Sequence, residues 1–117
     1  MARLYNQDGS VVRIGNAVVM MFDSKEEWAD TPGFLRLYVE DGDAAFEQAL
    51  EAGATAVTEM TNLFFGERVG HVRDPLRNIW CMNQRLEELD YEEISKRAVQ
   101  KEYIEAMQYV QETFKLR

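Results

Sequence analysis

Chemistry that depends on a thiolate, an imidazole or a metal has few groups to draw on in this chain of 117 residues, which has a single cysteine, Cys81, and a single histidine, His71. One thiol and one imidazole cannot complete a four-ligand structural zinc site, and a lone cysteine cannot form an internal disulfide. As a nucleophile Cys81 would need a base or a positive field to lower its pKa, and the sequence shows no such partner. Without one it behaves as a small hydrophobe. His71, in His71-Val72-Arg73-Asp74, reads as a structural or surface histidine, because a metal site using it would need carboxylates that spacing alone does not place. Gly9, Gly15, Gly66 and Gly70 form neither the dinucleotide nor the Walker spacing, and no serine stands in a nucleophile motif with His and Asp.

Charge narrows the partners. The formal net charge is −8, with 13 acids and 8 bases in residues 1–86 and 8 acids and 5 bases in residues 87–117. No segment is a basic patch, and nucleic-acid binding depends on clustered Lys and Arg, so no nucleic-acid partner is expected. With 46% hydrophobic residues the chain suits one domain over 1–117 with one core. No run approaches the roughly 18 apolar residues of a membrane span, and residues 1–5 lead into polar Asn6-Gln7-Asp8 instead of an apolar signal core. The expectation is a cytoplasmic protein with no membrane partner.

The elements that must position any site follow from periodicity and turn chemistry. Val11 to Ile14 and Ala17 to Phe22 are β-rich runs separated by Gly15-Asn16, which predicts a hairpin. Residues 3–7 are open to two readings, an extra strand or a frayed terminus. Residues 24–33 predict a connection, and Phe34 to Val39 alternates, with Leu35, Leu37 and Val39 on one face and Phe34, Arg36 and Tyr38 on the other. Asp41 or Asp43 caps a helix that runs through Glu51 and stops at Gly53. Strands follow over 54–58, 67–73 and 78–85, with Asp74-Pro75 turning the last pair. Asp90 and Glu93 resemble a capping box for a long helix over 90–115, whose Val99, Tyr103, Met107, Val110 and Phe114 make an apolar stripe for a core or a dimer.

Taken in order, Gly33 to Asp41, Asp43-Ala44-Ala45-Phe46, Ala52-Gly53-Ala54 and Val72-Arg73-Asp74-Pro75-Leu76-Arg77-Asn78-Ile79-Trp80 resemble the second βαβββ module of the vicinal oxygen chelate superfamily, which includes glyoxalases, bleomycin resistance proteins and extradiol dioxygenases. The resemblance covers 33–85, and the hairpin over 11–22 is similar to the last two strands of the first module, shortened at its N-terminus. It implies an α+β fold: a βαβββ module preceded by a β-hairpin and followed by a long C-terminal helix, with a mixed sheet curved around a cavity. One departure is Leu76-Arg77-Asn78, where the family often has a glycine in the final hairpin.

In metal-dependent members, inward strand positions hold His, Glu or Gln. Here those positions fall on Met20, Phe34 and Cys81, which are not a donor set for the family's divalent ions. The resemblance therefore implies no catalytic residue, metal or other cofactor. It also implies that Met20, Phe22, Phe34, Arg36, Tyr38, Ile79, Cys81 and Asn83 line the cavity. Arg36 suits a carboxylate or phosphate, and Tyr38 and Asn83 an uncharged oxygen or amide. In the competing reading, Arg36 pairs with an acid and the aromatics only fill core. The expected function is a metal-independent small-molecule-binding protein of the glyoxalase and bleomycin-resistance type, working as a homodimer. The alternatives are a metal-dependent lyase or dioxygenase with its site at a dimer interface, or a non-catalytic structural or interaction module.

Overall fold

The structure, a computed structural model, describes residues 2–6, 9–14, 16–22, 25–29 and 32–114. The chain divides into two compact units, Met1–Thr31 and Pro32–Arg117. The first is an antiparallel meander of β1 (Ala2–Asn6), β2 (Gly9–Ile14) and β3 (Ala17–Phe22). Ile14 and Ala17 are register partners, as a two-residue hairpin requires. Of the two readings left open for the N-terminus, the strand is the one adopted: Ala2 pairs with Val12 and Arg3 with Val11.

The second unit runs β4 (Phe34–Tyr38), α1 (Gly42–Glu51), β5 (Thr55–Asn62), β6 (Glu67–Arg73), β7 (Ile79–Arg85), α2 (Tyr91–Ala98) and α3 (Lys101–Thr113). Its sheet has the order β4-β7-β6-β5. β4 and β7 are parallel and the other pairs antiparallel, so the sheet is mixed as expected. Asp41 caps α1 by accepting the Ala44 amide at 3.1 Å. At the other end Gly53 has φ 108°, and the Gly53 and Ala54 amides donate back to Leu50 and Ala49. That pair of bonds satisfies carbonyls the helix would leave open and requires the left-handed backbone that glycine takes at least cost.

Each face of the sheet is covered by a helix. Against α1, Phe46, Val72 and Met82 are buried together with Leu37, Met60 and Trp80 around them. Burial of each such large side chain stabilises by about 1.5–3 kcal/mol. On the opposite face Leu63, Val69 and Cys81 pack against Phe65 and against Ala106, Met107 and Val110 of α3.

Two elements differ from the sequence expectation. β5 continues to Asn62, with register shifts between Ala56 and Thr58 and between Thr58 and Thr61. Those irregularities break the alternation that would have announced the extra residues. The helical segment expected over 90–115 is two helices. Asp90 caps α2 through the Glu93 amide at 2.8 Å, as the capping pattern predicted. The helix ends at Val99, and Gln100 is extended at φ −80°, ψ 141°. Val99 is β-branched and 75% exposed, so the rotamer freedom it would lose inside a helix is not offset by burial. The packed stripe accordingly starts beyond it.

Candidate functional site

Strand alternation and the register between strands assemble one face of the second unit. On β4, Phe34, Arg36 and Tyr38 point one way, opposite Ile79, Cys81 and Asn83 of β7. Across the β6–β7 pair, Cys81 faces His71, Asn83 faces Val69, and Arg85 faces Glu67. The expected lining residues of this unit therefore share a face. Met20 and Phe22 belong to β3 of the first unit.

α3 crosses the β5 side of this face. Thr113 Oγ1 and Thr58 Oγ1 lie 2.8 Å apart, and the Glu59 amide donates to the Tyr109 hydroxyl at 3.0 Å. Ile79, Cys81 and Asn83 are each fully buried, whereas Phe34 is 46% and Tyr38 60% exposed. Beside the last turn of α3 an open depression of about 300 Å³ remains, lined by Phe34, His71, Val110, Gln111 and Phe114. Its rings meet edge-on or tilted. The His71 and Phe114 centroids are 4.8 Å apart, Phe34 and Phe114 5.4 Å, and Phe34 and His71 6.1 Å. A second depression, about 310 Å³, lies between Phe64 and residues of α2 and α3 that include Tyr103 and Met107.

His71 is 5% exposed and its Nδ1 is buried with no hydrogen-bond partner. Burial depresses its pKa, and the charge of Arg36 depresses it further, so the imidazole is neutral at pH 7. The Arg36 side chain makes no hydrogen bond or ion pair among the described residues. Its field also reaches Cys81, where burial pushes the thiol up, Arg36 partly opposes this and Glu67 reinforces it. A thiol held protonated in this way is not an activated nucleophile.

The other end of the face is a closed polar network. Glu67, 6% exposed, accepts from Asn83 Nδ2 at 2.9 Å, Arg85 Nε at 3.2 Å and the Tyr38 hydroxyl at 3.4 Å. The Cys81 thiol donates to Asn83 Oδ1 at 2.8 Å. Tyr38 and Asn83, which the sequence offered as ligand contacts, are bonded to Glu67. Among the described residues no group of three or more His, Cys, Asp or Glu side chains could hold a metal ion. His71 and Cys81 are cross-strand neighbours, but Glu67 is committed to its three donors and Arg36 adds like charge. These residues do not fit a divalent ion.

Of the residues that the sequence offered as cavity lining, Phe34 borders this depression, and His71, Val110, Gln111 and Phe114, which were not among them, complete its wall. The register of the β6–β7 hairpin was the available signal for His71, since a hairpin turned at Asp74-Pro75 sets it opposite Cys81. No comparable signal tells which sheet face an amphipathic helix will cover.

This arrangement, a parallel pair of strands joined through a helix and two antiparallel strands, is the fold of glyoxalase/bleomycin resistance/dioxygenase proteins. The structure is similar to a glyoxalase/bleomycin resistance protein/dioxygenase family enzyme from Burkholderia phytofirmans PsJN, with a TM-score of 0.59 and 17% identity over 69% of this chain and 74% of that one. It is also similar to TioX from Micromonospora sp. ML1, with a TM-score of 0.55 and 19% identity over 77% of this chain and 80% of that one. In sequence, 64 residues are 42% identical to uncharacterised proteins of Mycobacterium bovis and Mycobacterium tuberculosis. That stretch is 55% of this chain, and the chain spans only 42% and 38% of the two relatives' lengths. No family model matches.

Proposed function

We propose that the chain is a metal-independent small-molecule-binding protein of the glyoxalase and bleomycin-resistance type, cytoplasmic and homodimeric, which holds its ligand on the open part of the second unit's sheet face. The observation that carries this reading is His71: an almost fully buried imidazole whose Nδ1 has no partner, in the wall of an aromatic depression. An unsatisfied buried polar atom costs about 1–3 kcal/mol, which a ligand would recover by parting the rings that cover it and bonding it. Arg36, with no acid paired to it, supplies a second polar handle on a largely apolar surface.

Native mass spectrometry of protein purified without chelator is the test. A metal-free dimer is expected, with amide resonances of Phe34, His71 and Val110 shifting when apolar fragments are added. Stoichiometric divalent metal would overturn the metal-independent reading and favour a lyase or dioxygenase assembled between subunits. The complete burial of Ile79, Cys81 and Asn83 supports a second reading, a structural or interaction module whose cavity is filled by its own helix. On that reading no fragment shifts those resonances, and Arg36→Ala has no binding to lose.

A further inference from the structure

We propose that the depression beside Phe34, His71 and Phe114 takes a small planar anion, a conjugated carboxylate whose flat body lies against the three rings and whose charge is met by Arg36. The proposal rests on the small-molecule reading of this face and adds the ligand's chemical class. Shape comes first. The rings of Phe34, His71 and Phe114 converge within 6.1 Å of one another around the depression, and such a wall favours a flat, polarisable body over a branched or extended one.

Charge follows from what is already paired. Arg36 stands two residues from Phe34 on the same face of β4 and makes no ion pair among the described residues, in a chain with 21 acids against 13 Lys and Arg residues. Glu67 is the carboxylate that the register places on this face among β4, β6 and β7, and its oxygens already accept from Asn83, Arg85 and Tyr38. A cationic ligand would therefore meet Arg36 and find no open carboxylate on β4, β6 or β7, whereas a carboxylate would meet a planar guanidinium with its donors unused. His71 adds no charge of either sign to this wall, since burial and the nearby Arg36 both disfavour its protonated form.

The experiment uses three probes of nearly equal shape, cinnamate, cinnamyl alcohol and cinnamylammonium, titrated into the full chain and followed by amide chemical shifts and calorimetry. Cinnamate is expected to bind about tenfold more tightly than the alcohol, as a net gain of about 1.4 kcal/mol would give, and the ammonium compound least of all. Arg36→Met should remove that preference while leaving the alcohol's affinity and the protein's melting temperature unchanged, and Arg36→Lys should restore part of it. Equal binding of cinnamate and alcohol at Phe34, His71 and Phe114 would overturn the anion assignment and leave the small-molecule reading standing. Shifts confined to Phe64, Tyr103 and Met107 would overturn the placement. If none of the three binds, the small-molecule reading falls with the proposal.

Discussion

His71 shows how one side chain joins packing to function. Its ring fills space between Phe34 and Phe114, yet its polar atoms were left out of the hydrogen-bonding that satisfies Glu67, Asn83 and Tyr38 one layer away. Burial, with Arg36 adding to it, places the folded-state pKa below the ordinary histidine value of 6.5. The unfolded chain thus binds a proton at His71 more readily than the folded one. Stability from this residue is fully present above about pH 6.5 and is lost as pH falls through the lower folded pKa. In urea titrations from pH 8 to pH 5, the wild-type midpoint should decline below pH 6.5. His71→Phe, which keeps an aromatic ring and cannot be protonated, should flatten that decline. An identical decline in the variant would assign it to other groups. The sequence revealed the type of this residue but not its setting. Judged against a metal-ligand pattern it fell outside, while its place opposite Cys81 followed only from combining two strands and a turn.

The turn between β6 and β7 makes the corresponding point for an element. Asp74 Oδ1 accepts the amides of Leu76 and Asn78, and its Oδ2 accepts from Trp80 Nε1 at 2.9 Å and from Asn78 Nδ2 at 3.2 Å. Burial pushes the Asp74 carboxyl up, but these donors together outweigh it and hold the pKa below the usual value. The turn closes with Arg77 at φ 73°, a left-handed conformation in the stretch where the resemblance led one to expect glycine. A left-handed backbone costs a non-glycine residue about 1–2 kcal/mol, and glycine gives back about 0.5–1 through the unfolded chain. Arg77→Gly should therefore stabilise by about 0.5–1 kcal/mol in equilibrium denaturation; a destabilised variant would show that the Arg77 side chain contributes more than its strain. Elements whose residues alternate or carry a cap, such as β4 and α1, were legible in the sequence alone. The break at Val99 and the extension of β5 were not, because the first turns on Val99 being left exposed and the second on register shifts that interrupt the strand's alternation.

For the whole molecule, the order of strand, helix and three strands was enough to place the second unit in its fold, because hydrophobic alternation and turn residues agree along 33–85. What remained hidden was the covering of the sheet's second face. The stripe of α3 announced that it would bury something, and only the structure shows that it buries Leu63, Val69 and Cys81. Among the described residues, both hydrophobic clusters lie within Pro32–Arg117, one on each face of a single sheet. A unit holding both of its cores should not need residues 1–31 to fold. A fragment of residues 32–117 should therefore unfold in urea with one cooperative transition reported alike by circular dichroism and by Trp80 fluorescence. Deleting residues 101–117 from that fragment should remove the cover from Cys81, make the thiol reactive to a thiol reagent and lower the midpoint sharply. If the fragment of 32–117 were instead unfolded in buffer while the full chain was folded, the core formed by α1, α3 and the four-stranded sheet would be insufficient alone, and the meander of β1, β2 and β3 would be part of what stabilises it.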